Sequence, residues 1–539
     1  MMRSATYLVP LLLGVAVASP TFQPSAVVDA GTVVGVATSL PSSTVKVNQF
    51  LGIPYAEPPL GTKRFLPPTP LAAFATPRLN ATQWGHKCFQ QNDYEDDPVG
   101  RENEDCLTLN VYAPAKCSTK GRPVLVWIHG GYLQSGTSAQ TALDGTSFAT
   151  NHDIVVVTIN YRLNVFGFSN SPAIAITETN VGFLDQRLAL DWVQKNIHVF
   201  GGDPAKVTIG GESSGGSSVD RLVNTFAPPL KPPFRAAAES SGQASVSPFE
   251  RNSGLAAWNT VVSELGCAGD SPQAELACVQ AADGRAVRDV VNEASIDFGP
   301  VNDGVTQVEL PYLDNRAAGR AAQVPLLIGT SSQEGNNLAA TYELTPADIA
   351  NFSDDQLMEF ITGTTGGDEA LIQQFYTLVQ SIMYTDGLSL FYAAAQAYTE
   401  LVYQCPAKLV SHAAAQSGLP AWRYYYNESF PNIHITGYPD LGVYHTSDLQ
   451  MIWGTYPTED ATPVEAELSK TIHAAWAGFV KDPWGAGPGW GKVDAAGSSV
   501  GCFGCHGELT EATVINEQEV DGRCEYYEGI YQTVKTPFF

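Results

Sequence analysis

Val207-Thr208-Ile209-Gly210-Gly211-Glu212-Ser213-Ser214-Gly215-Gly216 is the stretch whose reading decides the fold of this 539-residue chain. Three residues of high β propensity run straight into glycines, a serine and more glycines, the pattern of a buried strand that turns abruptly into a helix. Small residues are needed on both sides of such a turn because strand and helix backbones approach closely there. Ser213 stands at its apex, at the carboxyl end of the strand, in the G-x-S-x-G spacing that exposes a nucleophilic hydroxyl. Gly497-Ser498-Ser499-Val500-Gly501 has the same spacing, but it lies in a Gly- and Ser-rich stretch with no strand before it. It also leaves no room downstream for an acid and a distant histidine, so Ser213 is the candidate nucleophile.

Outward from Ser213, short β-rich runs recur at 124–129, 154–161, 207–210, 236–239, 324–329 and 422–426. Helical patterns lie between them; Leu184, Leu188 and Trp192 recur at i, i+4 and i+8 and so share a face. Continuous apolar strands alternating with amphipathic helices predict an α/β fold with a mostly parallel sheet, covered on both faces and reactive at the carboxyl ends of its strands. No repeat, heptad run or low-complexity linker divides residues 19–539, which are expected to form one domain.

Composition narrows the function. Hydrophobic residues make up 44% and charged residues 16%, a balance that supports a large buried core. The net charge of −26 repels nucleic acid and anionic membranes, and no Lys/Arg run offers a local exception. At the N-terminus Arg3, an apolar run from Leu8 to Ala18 and Ala16-Val17-Ala18 read as a signal peptide over residues 1–18. No stretch is long enough for a membrane span. A secreted, extracellular protein is expected, and Asn80, Asn351 and Asn427 head glycosylation sequons.

A serine hydroxyl is a weak nucleophile at neutral pH. It needs a neutral imidazole to take its proton and an acid to hold that imidazole in one tautomer. Downstream of Ser213 stand His412, His434, His445, His473 and His506, and spacing does not choose among them.

Six further motifs carry a resemblance. They are Phe50-Leu51-Gly52-Ile53-Pro54-Tyr55-Ala56-Glu57-Pro58-Pro59, Glu104-Asp105-Cys106-Leu107-Thr108-Leu109-Asn110, Trp127-Ile128-His129-Gly130-Gly131, Asn180-Val181-Gly182-Phe183-Leu184-Asp185-Gln186-Arg187, Gly329-Thr330-Ser331-Ser332-Gln333-Glu334-Gly335 and His445-Thr446-Ser447-Asp448-Leu449. With the stretch around Ser213 the chain resembles the type-B carboxylesterase/lipase family, the cholinesterase-like α/β-hydrolases, along nearly its whole mature length. The resemblance implies an α/β-hydrolase fold and hydrolysis of carboxylic esters through an acyl-enzyme. Glu334 is then the triad acid, His445 the general base, and the amides of Gly131, Tyr132 and Ser214 the oxyanion hole. Tyr132 replaces a glycine common in the family, and Ser214 an alanine. Both changes keep the amides, but the shape of the acyl pocket is left open, because a tyrosine ring must go somewhere that a glycine leaves empty. Arg64 with Glu104 and Arg162 with Asp185 resemble the family's structural ion pairs.

The same resemblance pairs Cys88 with Cys106, Cys267 with Cys278 and, over a longer range, Cys405 with Cys524. Cys502-Phe503-Gly504-Cys505-His506 matches a haem-attachment pattern, but a local disulfide or a bridge to Cys117 explains it better. No cofactor and no metal are expected. The segment between Cys88 and Cys106 is short and acidic and lacks tryptophan, where lipases of the family carry an apolar lid and cholinesterases a choline-binding tryptophan. Phe89 and Tyr94 remain there to contact an alcohol group. The expected partner is a small or medium soluble ester, with a lipase and a catalytically silent binding module as the rivals; monomer and homodimer are both open. An unshifted His445 would give activity that rises around pH 6.5.

Overall fold

The computed structural model describes residues 23–91, 102–116, 118–246, 254–308, 312–438, 440–494 and 499–533. Its strands are β1 (Ser25–Val28), β2 (Gly31–Val34), β3 (Val36–Thr38), β4 (Val47–Pro54), β5 (Arg78–Asn80), β6 (Thr108–Pro114), β7 (Arg122–Ile128), β8 (Val155–Ile159), β9 (Gly202–Glu212), β10 (Ala236–Ser240), β11 (Leu326–Ser331), β12 (Ala421–Tyr426), β13 (Val500–Phe503) and β14 (Thr513–Ile515). β1, β2 and β5 form a small sheet; the others form an 11-stranded sheet in the order β14-β13-β12-β11-β10-β9-β7-β8-β6-β4-β3. Neighbours from β8 through β7, β9, β10, β11 and β12 to β13 are parallel. Antiparallel pairs close both edges.

The central strands are buried end to end, as a sheet covered on both faces requires: every residue of β8, β10 and β11 is buried. Alternation sorts β7 between two layers. Val124, Val126 and Ile128 enter the core on one face, and Leu125 and Trp127 enter the core on the other. Each of the six β-rich runs read from the sequence overlaps one of these parallel strands, with ends displaced by a few residues.

The helix between β8 and β9, Val181–Asn196, buries Trp192 of the face read from the sequence, but the two leucines of that face less deeply. Leu184 and Leu188 are only half-buried, whereas Asp185 and Gln186 are fully buried. The inward face holds polar side chains because each finds a buried partner: Asp185 binds Arg162, and Gln186 Nε2 donates to Ser218 Oγ at 3.1 Å.

A third core cluster is built from the helices Asp354–Thr365, Glu369–Asp386, Leu390–Thr399 and Cys524–Thr533. Among the described residues no helix is long and apolar enough to cross a membrane.

Candidate active site

Strand β9 runs to Glu212, and the helix Ser214–Thr225 starts at once, so Ser213 alone makes the turn. Its backbone sits at φ 56°, ψ −126°, a conformation that a non-glycine residue holds only where its surroundings enforce it. They do so here. The Ser213 amide donates to Ser240 O at the end of β10, and the Ser217 amide donates to Ser213 O, each at 2.9 Å. A Cβ on Gly215 would stand 2.1 Å from Ile128 O, so only glycine lets the helix approach β7.

Glu334 opens the single turn Glu334–Asn337 after β11. Its Oε1 accepts from the Ser331 amide and from Ser241 Oγ, both at 2.6 Å. Its Oε2 accepts from His445 Nδ1 at 2.6 Å. His445 follows β12 on the neighbouring strand, and both side chains are buried. The imidazole's other nitrogen, Nε2, has no hydrogen-bond partner and lies 3.2 Å from Glu212 Oε1. His412 instead binds Glu517, His434 binds Pro431 O, His473 is buried against Phe148, and His506 binds Glu519.

The loop after β7 turns through three successive positive-φ residues, Gly131 (108°), Tyr132 (58°) and Leu133 (62°). It is drawn tight by the Gln134 and Ser135 amides, both donating to Gly131 O at 2.9 Å. It is joined to the elbow by the Leu133 amide, which donates to Ser214 Oγ at 3.3 Å. Tyr132 is 53% exposed.

Burial would lower the His445 pKa, but the carboxylates of Glu212, Glu334 and Asp448 outweigh it and push it up to about 9. The rise around pH 6.5 was expected only of an unshifted imidazole, and the sequence could not show three acids meeting this one. Burial raises Glu212 to about 8, against the pull of His445. It also raises Asp448 to about 7, and the Glu334 charge adds to that rise. Asp448 accepts from Tyr424 at 3.0 Å and from Ser240 Oγ at 3.2 Å. Asp448 and Ser241 were not read as site residues. Asp448 stands three residues after His445 in a quoted motif, and Ser241 carries no signal in the sequence.

Other expectations meet the structure unevenly. Arg64 binds Glu104 through two hydrogen bonds, and Arg162 binds Asp185 through three, one of them from its backbone amide. Cys88–Cys106, Cys267–Cys278 and Cys405–Cys524 are disulfides. Cys502–Cys505 is a fourth, which settles the haem-like pattern as a local bridge. Phe89 is buried against Phe166, 5.3 Å away between ring centres. Asn80, Asn351 and Asn427 are exposed. Residues 1–18, Tyr94, Cys117, Gly497 and Ser498 lie outside the described residues. Val500 and Gly501 of the second G-x-S-x-G lie in strand β13, not in a strand-to-helix turn.

With this geometry in view, comparison with known proteins is decisive: the sequence profile of the Carboxylesterase family matches residues 23–497. The chain belongs to that family. This carboxylesterase is 32% identical to the para-nitrobenzyl esterase of Bacillus subtilis, over 81% of its own length and 86% of that protein's. It is 30% identical to carboxylesterase 1F of Mus musculus over 96% and 97%, and 29% identical to secreted lipase 5 of Gibberella zeae over 81% and 82%. It is a carboxylic ester hydrolase with the α/β-hydrolase fold.

Proposed function

We propose that this carboxylesterase is a secreted, single-domain enzyme, freed of a signal peptide at residues 1–18, that cleaves small to medium soluble esters through an acyl-enzyme on Ser213. The observation that carries the reading is the 2.6 Å hydrogen bond from His445 Nδ1 to Glu334 Oε2, made by the loops after the neighbouring strands β11 and β12, which β10 separates from the strand β9 that leads into Ser213. With Nδ1–H fixed on Glu334, Nε2 of a neutral imidazole is left as the proton acceptor. Ser213 Oγ attacks the ester carbonyl and passes its proton to Nε2. The amides of Gly131, Tyr132 and Ser214 receive the oxyanion. Collapse expels the alcohol, which takes the proton from His445, and water then releases the acid by the same steps. The name of the Gibberella zeae relative supports secretion.

Ser213→Ala is expected to abolish p-nitrophenyl ester hydrolysis and labelling by a fluorophosphonate probe while the circular dichroism spectrum stays unchanged. Retained turnover would move the nucleophile elsewhere. Activity that jumps once substrate exceeds its solubility would replace the soluble-ester reading by a lipase.

A further inference from the structure

Resting on the assignment of His445 as the base, we infer that the π-helical turn Glu400–Gln404 is a positioning device for it, with Tyr403 as the residue that braces the imidazole. The turn joins the helix Leu390–Thr399 to the helix Cys405–Gln416. The helix before it packs on the turn that carries Glu334: the Gly335 amide donates to Thr399 Oγ1 at 2.8 Å, and a Cβ on Gly335 would lie 2.0 Å from Ala395 O. The Tyr403 ring lies against His445, with centroids 4.9 Å apart and planes at 37°. Tyr398 meets the Tyr403 ring edge-on at 6.0 Å. Tyr403 is buried, and burial, with the phenols of Tyr132 and Tyr398 and the nearby carboxylates, keeps its hydroxyl protonated. It therefore acts by its ring, not as an acid or base.

The π turn is what allows Tyr403 to do this. In an α-helix, residues three apart lie on one face. Here Glu400 and Tyr403 serve different partners, and the wider turn splays them. A π turn disturbs the regular ladder and leaves backbone carbonyls to be satisfied from outside. Tyr531 donates to Leu401 O at 2.6 Å, and Arg423 Nη2 donates to Gln404 O at 3.1 Å.

The turn is also anchored as a unit. Glu400 is buried and accepts from Gln396 Nε2 at 2.9 Å, from Tyr527 at 2.9 Å and from Arg523 Nε at 3.0 Å. Arg523 also reaches Asp386 at 2.9 Å, and the Cys405–Cys524 disulfide fixes the adjoining backbone. The C-terminal segment is thus tied through Glu400 to the wall behind the imidazole. A ring in that place denies His445 any rotation off Glu334, so its removal must appear in kcat more than in KM.

The test compares Tyr403→Phe, Tyr403→Leu, Tyr403→Ala and Arg523→Gln in the full chain on a soluble p-nitrophenyl ester. Tyr403→Phe is expected within about twofold of the parent in kcat, since the ring remains. Tyr403→Ala and Tyr403→Leu are expected to lose roughly 10- to 100-fold in kcat with little change in KM, and Arg523→Gln roughly tenfold, with the Cys405–Cys524 bridge intact by mass. Tyr403→Leu keeps a buried apolar side chain and gives the reading if the alanine variant does not fold. Parental kcat in the leucine variant, a loss confined to KM, or an equal loss in Tyr403→Phe would overturn the inference. Ser213→Ala separates the two claims: if it stays active, the assignment of the triad fails first. If it is inactive while Tyr403→Leu is unimpaired, only the bracing role fails.

Discussion

His445 Nε2 stands 3.2 Å from Glu212 Oε1. The residue before the proposed nucleophile thus addresses the same nitrogen that must accept the nucleophile's proton. A carboxylate at that distance favours the imidazolium, the form that cannot act as base, so the pair couples the protonation of Glu212 to the readiness of His445.

The pH profile should carry that coupling. With His445 as the proposed base, activity needs its neutral form, and a group pushed up to about 9 loses its proton only in the alkaline range. The rate should therefore climb with pH across the whole interval from neutral to about 9, and not level off just above the ordinary histidine value. Glu212→Gln removes the largest of the charges that raise His445, so the acidic limb of kcat/KM should move to lower pH. A limb that stays in place would exclude Glu212 as the cause.

Glu334→Gln keeps the volume of the side chain but cannot hold the imidazolium, and kcat should fall by roughly 10⁴-fold with KM nearly unchanged. Ser241→Ala should do less, because the Ser331 amide still anchors Oε1; losing one hydrogen bond to a carboxylate, about 1.5 to 3 kcal/mol, corresponds to roughly a 10- to 150-fold drop. Steady-state kinetics on both variants checks the order, and an equal loss in the two would show that Ser241 does more than orient Glu334.

Stability in acid should depend on His473. Its ring is buried between Phe148 at 4.0 Å and His152 at 4.6 Å, and burial, then His152, lower its pKa to about 3. The unfolded chain takes up this proton near pH 6.5, the folded one only far below. The stability is thus complete above about pH 6.5 and falls by about 1.4 kcal/mol per pH unit as the pH drops towards 3. Thermal melts between pH 7 and 4 should show a shallower decline for His473→Phe than for the parent. Parallel slopes would remove His473 from the account.

Tyr132→Gly should relieve a non-glycine residue of its left-handed backbone at φ 58° while keeping the amide. The melting temperature should not fall, and turnover of short acyl esters should persist. Any change should appear in the relative kcat/KM of a chain-length series. Loss of activity on every ester would mean that the ring, and not only the amide, takes part.

The sequence made the central parallel strands readable because each is a continuous apolar run; the edge strands β3, β4, β6 and β14 were not among the runs. The face that carries Leu184, Leu188 and Trp192 is buried only at Trp192, because the buried side of that helix, apolar at Phe183, Ala189, Leu190 and Val193, also takes in Asp185 and Gln186, whose partners Arg162 and Ser218 lie on other elements. The elbow was legible from local spacing. Glu334 and His445 were reached through resemblance, since five histidines were equal by spacing. Asp448 had only its place in the His445 motif to mark it, and Ser241 and Tyr403 had no local signal, because Ser241 acts on Glu334, 93 residues away, and the Tyr403 ring lies against His445 from another element.

The bond between Glu334 and His445 spans 111 residues. Contacts that distant form late in folding, after the intervening loop has been closed. On the proposed roles of Glu334 and His445, a ribosome that has made the elbow and the acid has made no esterase until the strand Ala421–Tyr426 and the loop behind it follow. The order of the chain thus withholds hydrolytic power from the nascent protein and releases it only when most of the polypeptide has been synthesised.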